Sequence, residues 1–510
     1  MEKLISYAIR NHRLIVILIL LLNPNIYPLV AKIEPHIHTP YDDFNPSIKV
    51  EKGFLLEDIG HYIRLVNEVH GNPYQMISKE SFLTKAEKIK KEIFDLDEDS
   101  IPLIDCYYFI QELSASIKDG HTKIDRPWKW DEYIDSVFPL LFVNINDTLL
   151  VSENLGCNGI PINAEVLAIN NTSVSEIKLK TIKYISGTLD QYKNAKWAED
   201  FWYLIQTNLQ IGSPWLIEYK YSGNVFEKTI SGISWKERGE RFPQKNNKYS
   251  YEIVKINRKP VPVLKIPSFG IGSFEDYKEF LNKFFKKYSK KKYLIVDIRE
   301  NEGGEGVWAR YLLDFFTDST YEAFNRFESK MSPEYIEVIQ YFLHSYYNDL
   351  KIPEDQWDQN KYGASPYEYF FDNALKAKPN SYEQLREKKH VPHTTPYKFE
   401  GQVLLLTSNK TFSAGIVFAA LFQELNLDII LGNKTGDRTR FCSDPITIEL
   451  PNSHLRAIIP VAELILQRNY SDQPVIPDIE VHYEVKDYIE NKDLFLWKAI
   501  EIISKDMGKE

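Results

Sequence analysis

Thr411-Phe412-Ser413-Ala414-Gly415 stands between two apolar runs, Val403-Leu404-Leu405-Leu406 and Ile416-Val417-Phe418-Ala419-Ala420-Leu421-Phe422. The first run reads as a buried strand, the second as a helix packed on a sheet. A serine at such a strand-to-helix turn has an exposed hydroxyl. The helix N-terminus behind it concentrates unpaired N–H groups that suit a developing oxyanion. The plain alternative for Ser413 is an ordinary N-cap. Strand–helix alternation around this turn indicates an α/β layer.

Upstream, Tyr293-Leu294-Ile295-Val296-Asp297-Ile298-Arg299 is a second apolar strand, and it runs into Glu300-Asn301-Glu302-Gly303-Gly304. Paired glycines after a strand permit positive φ and a close backbone approach to a ligand, or else form a simple turn. Downstream stands Pro477-Asp478-Ile479-Glu480-Val481. These segments, in this order, resemble the tail-specific or C-terminal processing serine peptidases. The branch in question includes the tricorn protease core and interphotoreceptor retinoid-binding protein. The family patterns, approximately D-x-R-x-N-x-G-G, T-x-S-A, G-x-x-T-G and P-D-I-x-V, fall here on residues 297–304, 411–414, 432–436 and 477–481.

The resemblance implies a multidomain α/β protein whose peptidase core is ClpP/crotonase-like and carries a helical insertion. It implies Ser413 as nucleophile, with the oxyanion held by the Ala414 amide and an amide at Gly303 or Gly304. In this branch the Asp-Gly-His-Thr sequence carries the catalytic histidine, which selects His121 in Asp119-Gly120-His121-Thr122. A capping or core histidine past a helix end is the alternative. Other processing peptidases use a lysine in a G-x-x-T-x-G-K pattern. Counted from Gly432, that place holds Arg438, which stays protonated and cannot be a base. Lys434 lies earlier, so the Ser–His reading gains. A histidine base needs an orienting acceptor. The branch places a glutamate shortly before the P-D element. Here Asp472 occupies that neighbourhood, and Asp119 is a second candidate. Two function classes follow: a peptidase acting on polypeptides through an acyl-enzyme, and a silent relative that binds peptide or apolar ligands on the same scaffold.

The 510 residues exceed one hydrophobic core and imply two to four domains. With 72 acidic against 62 basic residues the net charge is −10, and no basic stripe stands out, so nucleic acid is not an expected partner. Cys106, Cys157 and Cys442 are too few for a disulfide scaffold and fit no zinc spacing. His36 and His38 flank one residue in a proline-containing lead-in and read as solvated. Nothing in the sequence calls for a metal or an organic cofactor.

Residues 1–31 read as an export signal: Lys3, Arg10 and Arg13 precede a nine-residue apolar run at 14–22, with Pro24 and Pro28 behind it. The run is short for a membrane span, so no stable insertion is expected after cleavage, and the mature chain is expected in the periplasm or outside the cell. An uncleaved anchor is the alternative. Residues 32–134 carry helical periodicity and 135–232 turn to β character. Within the latter, residues 159–171 resemble the second half of a PDZ-type domain. The core is expected over 258–486, interrupted at 316–398 by an aromatic, helix-prone insertion that is either a lid or a packing extension. A closing helix is expected within 487–510.

Overall fold

The computed structural model describes residues 14–16, 48–127, 136–156, 159–242, 248–349, 376–384, 389–466 and 472–508. His36, His38 and Cys157 lie outside them. Of the expected export signal only Leu14–Val16 is described, as a short strand antiparallel to residues 446–448. No helix among the described residues is long and apolar enough to cross a membrane.

Three helices open the fold: α1 (Lys52–Glu68), α2 (Lys79–Phe94) and α3 (Leu103–Ala115). Leu55, Ile59, Tyr62, Leu65 and Val66 of α1 recur at helical spacing and are fully buried. A second region contains β1 (Leu141–Ile145), β2 (Thr148–Glu153), β3 (Glu165–Ile169), the long helix α4 (Asp190–Thr207), β4 (Trp215–Tyr221) and β5 (Asn224–Ile230). Its sheet runs in the order β5-β4-β3-β2-β1. The sequence's shift to β character is seen here, but α4, packed against β1, was not part of that expectation.

The core begins with β6 (Ser250–Ile256) and β7 (Lys259–Lys265), then α5 (Phe274–Tyr288) and β8 (Tyr293–Asp297). Helix α5 carries its apolar residues at helical spacing. Phe274, Tyr277, Leu281, Phe284, Phe285 and Tyr288 fill its buried face, and the Ser273 side chain caps its start by accepting the Asp276 N–H. Next come α6 (Gly306–Leu313), β9 (Arg326–Met331), α7 (Pro333–Asp349) and β10 (Ser381–Gln384). The expected insertion therefore supplies strands as well as a helix, because β9 has neighbours on both sides to pair with. The chain then forms β11 (Gln402–Thr407), α8 (Ala414–Glu424), β12 (Ile429–Gly432), β13 (Arg440–Glu449), β14 (Arg456–Ile465), β15 (Ile479–Glu480) and the closing helix α9 (Leu494–Met507).

Two sheets define the core. One has the order β6-β7-β8-β11-β12-β15, parallel from β7 onward. The other joins β13, β14, β9 and β10, with residues 123–124 paired to β14. Because β8 and β11 are parallel neighbours with Asp297 opposite Leu406, the loops leaving their carboxyl ends lie side by side. That is where ligands bind in open α/β sheets.

Candidate active site

The β11–α8 loop places Ser413 in a strained elbow, at φ 51° and ψ −120°. For a residue with a Cβ this costs on the order of 1–3 kcal/mol, so the surroundings must enforce it. They do so through hydrogen bonds to backbone carbonyls of the neighbouring loop. The Phe412 N–H donates to Asn301 O at 2.9 Å, and the Thr411 hydroxyl donates to Ile298 O at 3.0 Å. The β8–α6 loop is held in turn by the fully buried Asn301. Its Nδ2 donates to Ile266 O and its Oδ1 accepts the Gly303 N–H, both at 2.9 Å. Arg299 grips Asp297 through Nε and Nη2 at 2.9 and 2.7 Å and reaches Asp493 at the start of α9.

This geometry sorts the candidate oxyanion donors. The Gly303 N–H is committed to Asn301, which removes Gly303 as a donor. The Gly304 and Ala414 amides have no protein acceptor among the described residues. Gly303 serves instead as a spacer: at φ +112° it lies so close that an added Cβ would fall 2.6 Å from Ser413 Cβ. If Ser413 acts as nucleophile, Gly303→Ala is expected to cut kcat on the order of 100-fold, by moving Ser413, and to destabilise the fold by about 1–3 kcal/mol. Peptide hydrolysis and thermal unfolding of the variant check both parts.

His121 arrives from the far end of the chain. The pairing of residues 123–124 with β14 carries it to the elbow, and its Nε2 lies 3.1 Å from Ser413 Oγ. The ring packs between Phe412, centroids 4.8 Å apart, and Phe441, at 5.7 Å. Tyr192 of α4 stacks on the other side of Phe412 at 4.7 Å. Burial lowers the His121 pKa below its ordinary value, with Asp119 opposing and Lys123 and His70 adding to the shift. Lys434 is not hydrogen-bonded to Ser413 and does not line the cavity beside it.

The carboxylate beside His121 is not Asp472. Asp472 accepts from Arg438 Nη1 at 2.5 Å and makes no ion pair with His121. A buried arginine is the stronger claimant on a carboxylate. The carboxylate facing the ring is that of Asp119, whose Oδ1 stands 3.9 Å from His121 Nδ1 and accepts the His121 backbone N–H at 3.2 Å. Nδ1 has no hydrogen-bond partner among the described residues. Catalytic hydrogen bonds in unliganded sites are often long and tighten with substrate. Burial pushes the Asp119 carboxyl up, but His70, whose Nε2 lies 3.5 Å from its Oδ2, and the facing His121 bring it below its usual range. The His70 contribution was not visible in the sequence.

His70, Asp119 and Cys442 bring one potential ligand atom each within 4.8 Å of one another. The His70 tautomer argues against a metal there. Nδ1 accepts the Asn72 N–H at 3.1 Å, so the ring proton sits on Nε2, which faces the Thr122 hydroxyl at 2.9 Å. Thr122 donates onward to Asp119. His70 and Thr122 read as a buttress for Asp119. Cys106 and Cys442 are buried free thiols.

A cavity of about 360 Å³ opens on Ser413. Phe324, Phe327, Phe441, Val417, Ile458, Leu464 and Leu466 line much of it, and Lys123, Arg310, Glu302 and Glu305 add charge. Phe324 and Phe327 come from the stretch expected as an insertion.

Residues 261–481 match the sequence profile described as Peptidase family S41. No curated protein sequence matches the chain. Among solved structures, mature CPAF complexed with lactacystin superposes with a TM-score of 0.67 at 11% identity, over 90% of this chain and 99% of that one. Mature CPAF gives a TM-score of 0.63 at 12% identity, over 86% of this chain and 94% of that one. At these identities the likeness is one of fold.

Proposed function

Starting from the chain's place among the serine-type peptidases of family S41, we propose that it cleaves peptide bonds of polypeptides outside the cytoplasm by a Ser413–His121 mechanism. The observation that carries this reading is the 3.1 Å approach of His121 Nε2 to a Ser413 hydroxyl presented on a strained elbow. Neutral His121 takes the hydroxyl proton as Oγ attacks the substrate carbonyl. The Ala414 and Gly304 amides receive the oxyanion, each contributing roughly 3 kcal/mol in the transition state. His121 then protonates the leaving amine, and water released onto the acyl-enzyme repeats the sequence. Asp119, supported by His70 and Thr122, steadies the ring. Export is supported by the basic and apolar pattern of residues 3–22. Residues 135–232 are read as a PDZ-like region.

The apolar walls of the cavity favour an aliphatic or aromatic side chain on the residue whose carbonyl is attacked. Burying such a side chain contributes about 1.5–3 kcal/mol. Peptides with Leu or Phe there are thus expected to exceed Gly by on the order of 10- to 100-fold in kcat/KM. The test is digestion of unfolded polypeptides by wild type and Ser413→Ala, with the new termini sequenced. Cleavage by wild type alone, after apolar residues, is expected. Termini without side-chain preference would remove the specificity assignment, and no cleavage at all would remove the peptidase.

A further inference from the structure

The two loops that make the site are tied to each other through the Phe412–Asn301 and Thr411–Ile298 hydrogen bonds, and both carry unusual backbone. One ends in Gly303-Gly304, both at positive φ, and the other in the strained Ser413. Both are clamped from outside the core by α4. Lys196 Nζ contacts Glu302 at 2.5 Å and Glu199 at 3.0 Å. Glu199 also contacts Lys410 Nζ at 2.8 Å, and Lys410 reaches Glu300 at 3.2 Å. Four charges thus run in alternating sign from the residue before the glycine pair, through one face of α4, to the residue three before Ser413, and a fifth, Glu300, returns to the first loop.

The neighbouring contacts follow the same line. Asn409 Nδ2 donates to Gln191 O at 3.3 Å, and Tyr192 stacks on Phe412. The Lys196, Glu199 and Lys410 side chains are 22%, 32% and 19% exposed, so solvent screens them less than an ordinary surface pair. Burial pushes the Glu199 carboxyl up, yet Lys410 and Lys196 hold it down to about 2.

We propose that Lys196, acting through Glu302, is a positioning residue for the oxyanion loop, and that α4 completes a site whose family-matched core ends short of it. The inference rests on the peptidase reading. Lys196 does not line the cavity that opens on Ser413. It fixes the last side chain before Gly303-Gly304, and so where the Gly304 amide points. A donor misplaced by about 1 Å is costly to catalysis and nearly neutral to ground-state binding.

The experiment compares full-length wild type with Lys196→Met, Lys196→Arg, Glu302→Gln and the Lys196→Met/Glu302→Gln double variant. The readouts are kcat, KM and the rate of fluorophosphonate labelling. Lys196→Met and Glu302→Gln should each lower kcat and the labelling rate by on the order of 10- to 100-fold, with KM within about threefold. The double variant should be no slower than the worse single one. Lys196→Arg should recover most of the loss. If Lys196→Met fails to fold, Glu302→Gln carries the test, since Glu302 is 48% exposed. Single variants within twofold of wild type, additive losses, or no recovery with arginine would overturn the proposal while leaving the peptidase intact. A wild type that neither cleaves nor labels would overturn both.

Discussion

Ser413→Gly is expected to abolish peptidase activity and to make the protein more stable. The wild-type elbow, at φ 51° and ψ −120°, is a conformation glycine adopts freely and serine does not. Relief of roughly 1–3 kcal/mol is set against about 0.5–1 kcal/mol for the greater freedom of glycine in the unfolded chain, leaving a net gain of about 1 kcal/mol. Ser413→Ala keeps the strain and should stay within about 1 kcal/mol of wild type. Both variants lack the hydroxyl, so kcat should fall roughly 10⁴-fold or more. Thermal unfolding of the three proteins together with hydrolysis checks the pair of effects. A glycine variant less stable than alanine would show that the elbow is not strained as described.

The second large effect is at His121. His121→Ala should lower kcat by roughly 10⁴-fold, and the wild-type pH profile should carry its signature. The base acts when neutral, so the rate rises with pH through the His121 pKa. Burial lowers that pKa, so half-maximal rate should fall below the ordinary histidine value of about 6.5. The same shift has a stability sign: the folded state takes up the proton less readily than the unfolded one. Stability is therefore full above about pH 6.5 and is lost as pH falls from there toward the folded pKa. Asp437, buried and pushed up to about 7, acts in the opposite sense, because its folded state holds the proton more readily and gains stability as pH falls below about 7. Asp437→Asn should remove that inflection and keep the His121 one. A rate that rises only at strongly alkaline pH would point to a lysine base, with Lys434 first in line.

Much of this site was legible in sequence because it is built from local patterns. The elbow at 411–415 and the glycine pair at 303–304 each follow a short apolar strand, and those strands turn out to be parallel neighbours. His121 follows a helix whose periodicity is plain. What escaped the sequence depends on which partner wins a side chain in three dimensions. Asp472 stands near the place the family pattern points to, but Arg438 takes it, which leaves Asp119 facing the ring. Gly303 and Gly304 are indistinguishable as letters, and only the Asn301 side chain assigns one as spacer and the other as free donor. Tyr192, Lys196 and Glu199 belong to an amphipathic helix some two hundred residues before the nucleophile. Nothing in their spacing distinguishes them from any solvated face.

The central claim is that Ser413 is a nucleophile activated by His121. It is tested most directly by incubating full-length wild type, Ser413→Ala and His121→Ala with a fluorophosphonate, then locating the adduct by peptide mass spectrometry. The expected result is one adduct on Ser413 in the wild type, none in Ser413→Ala, and labelling of His121→Ala slowed by orders of magnitude. An adduct on another residue, or labelling at equal rate with and without His121, would contradict it.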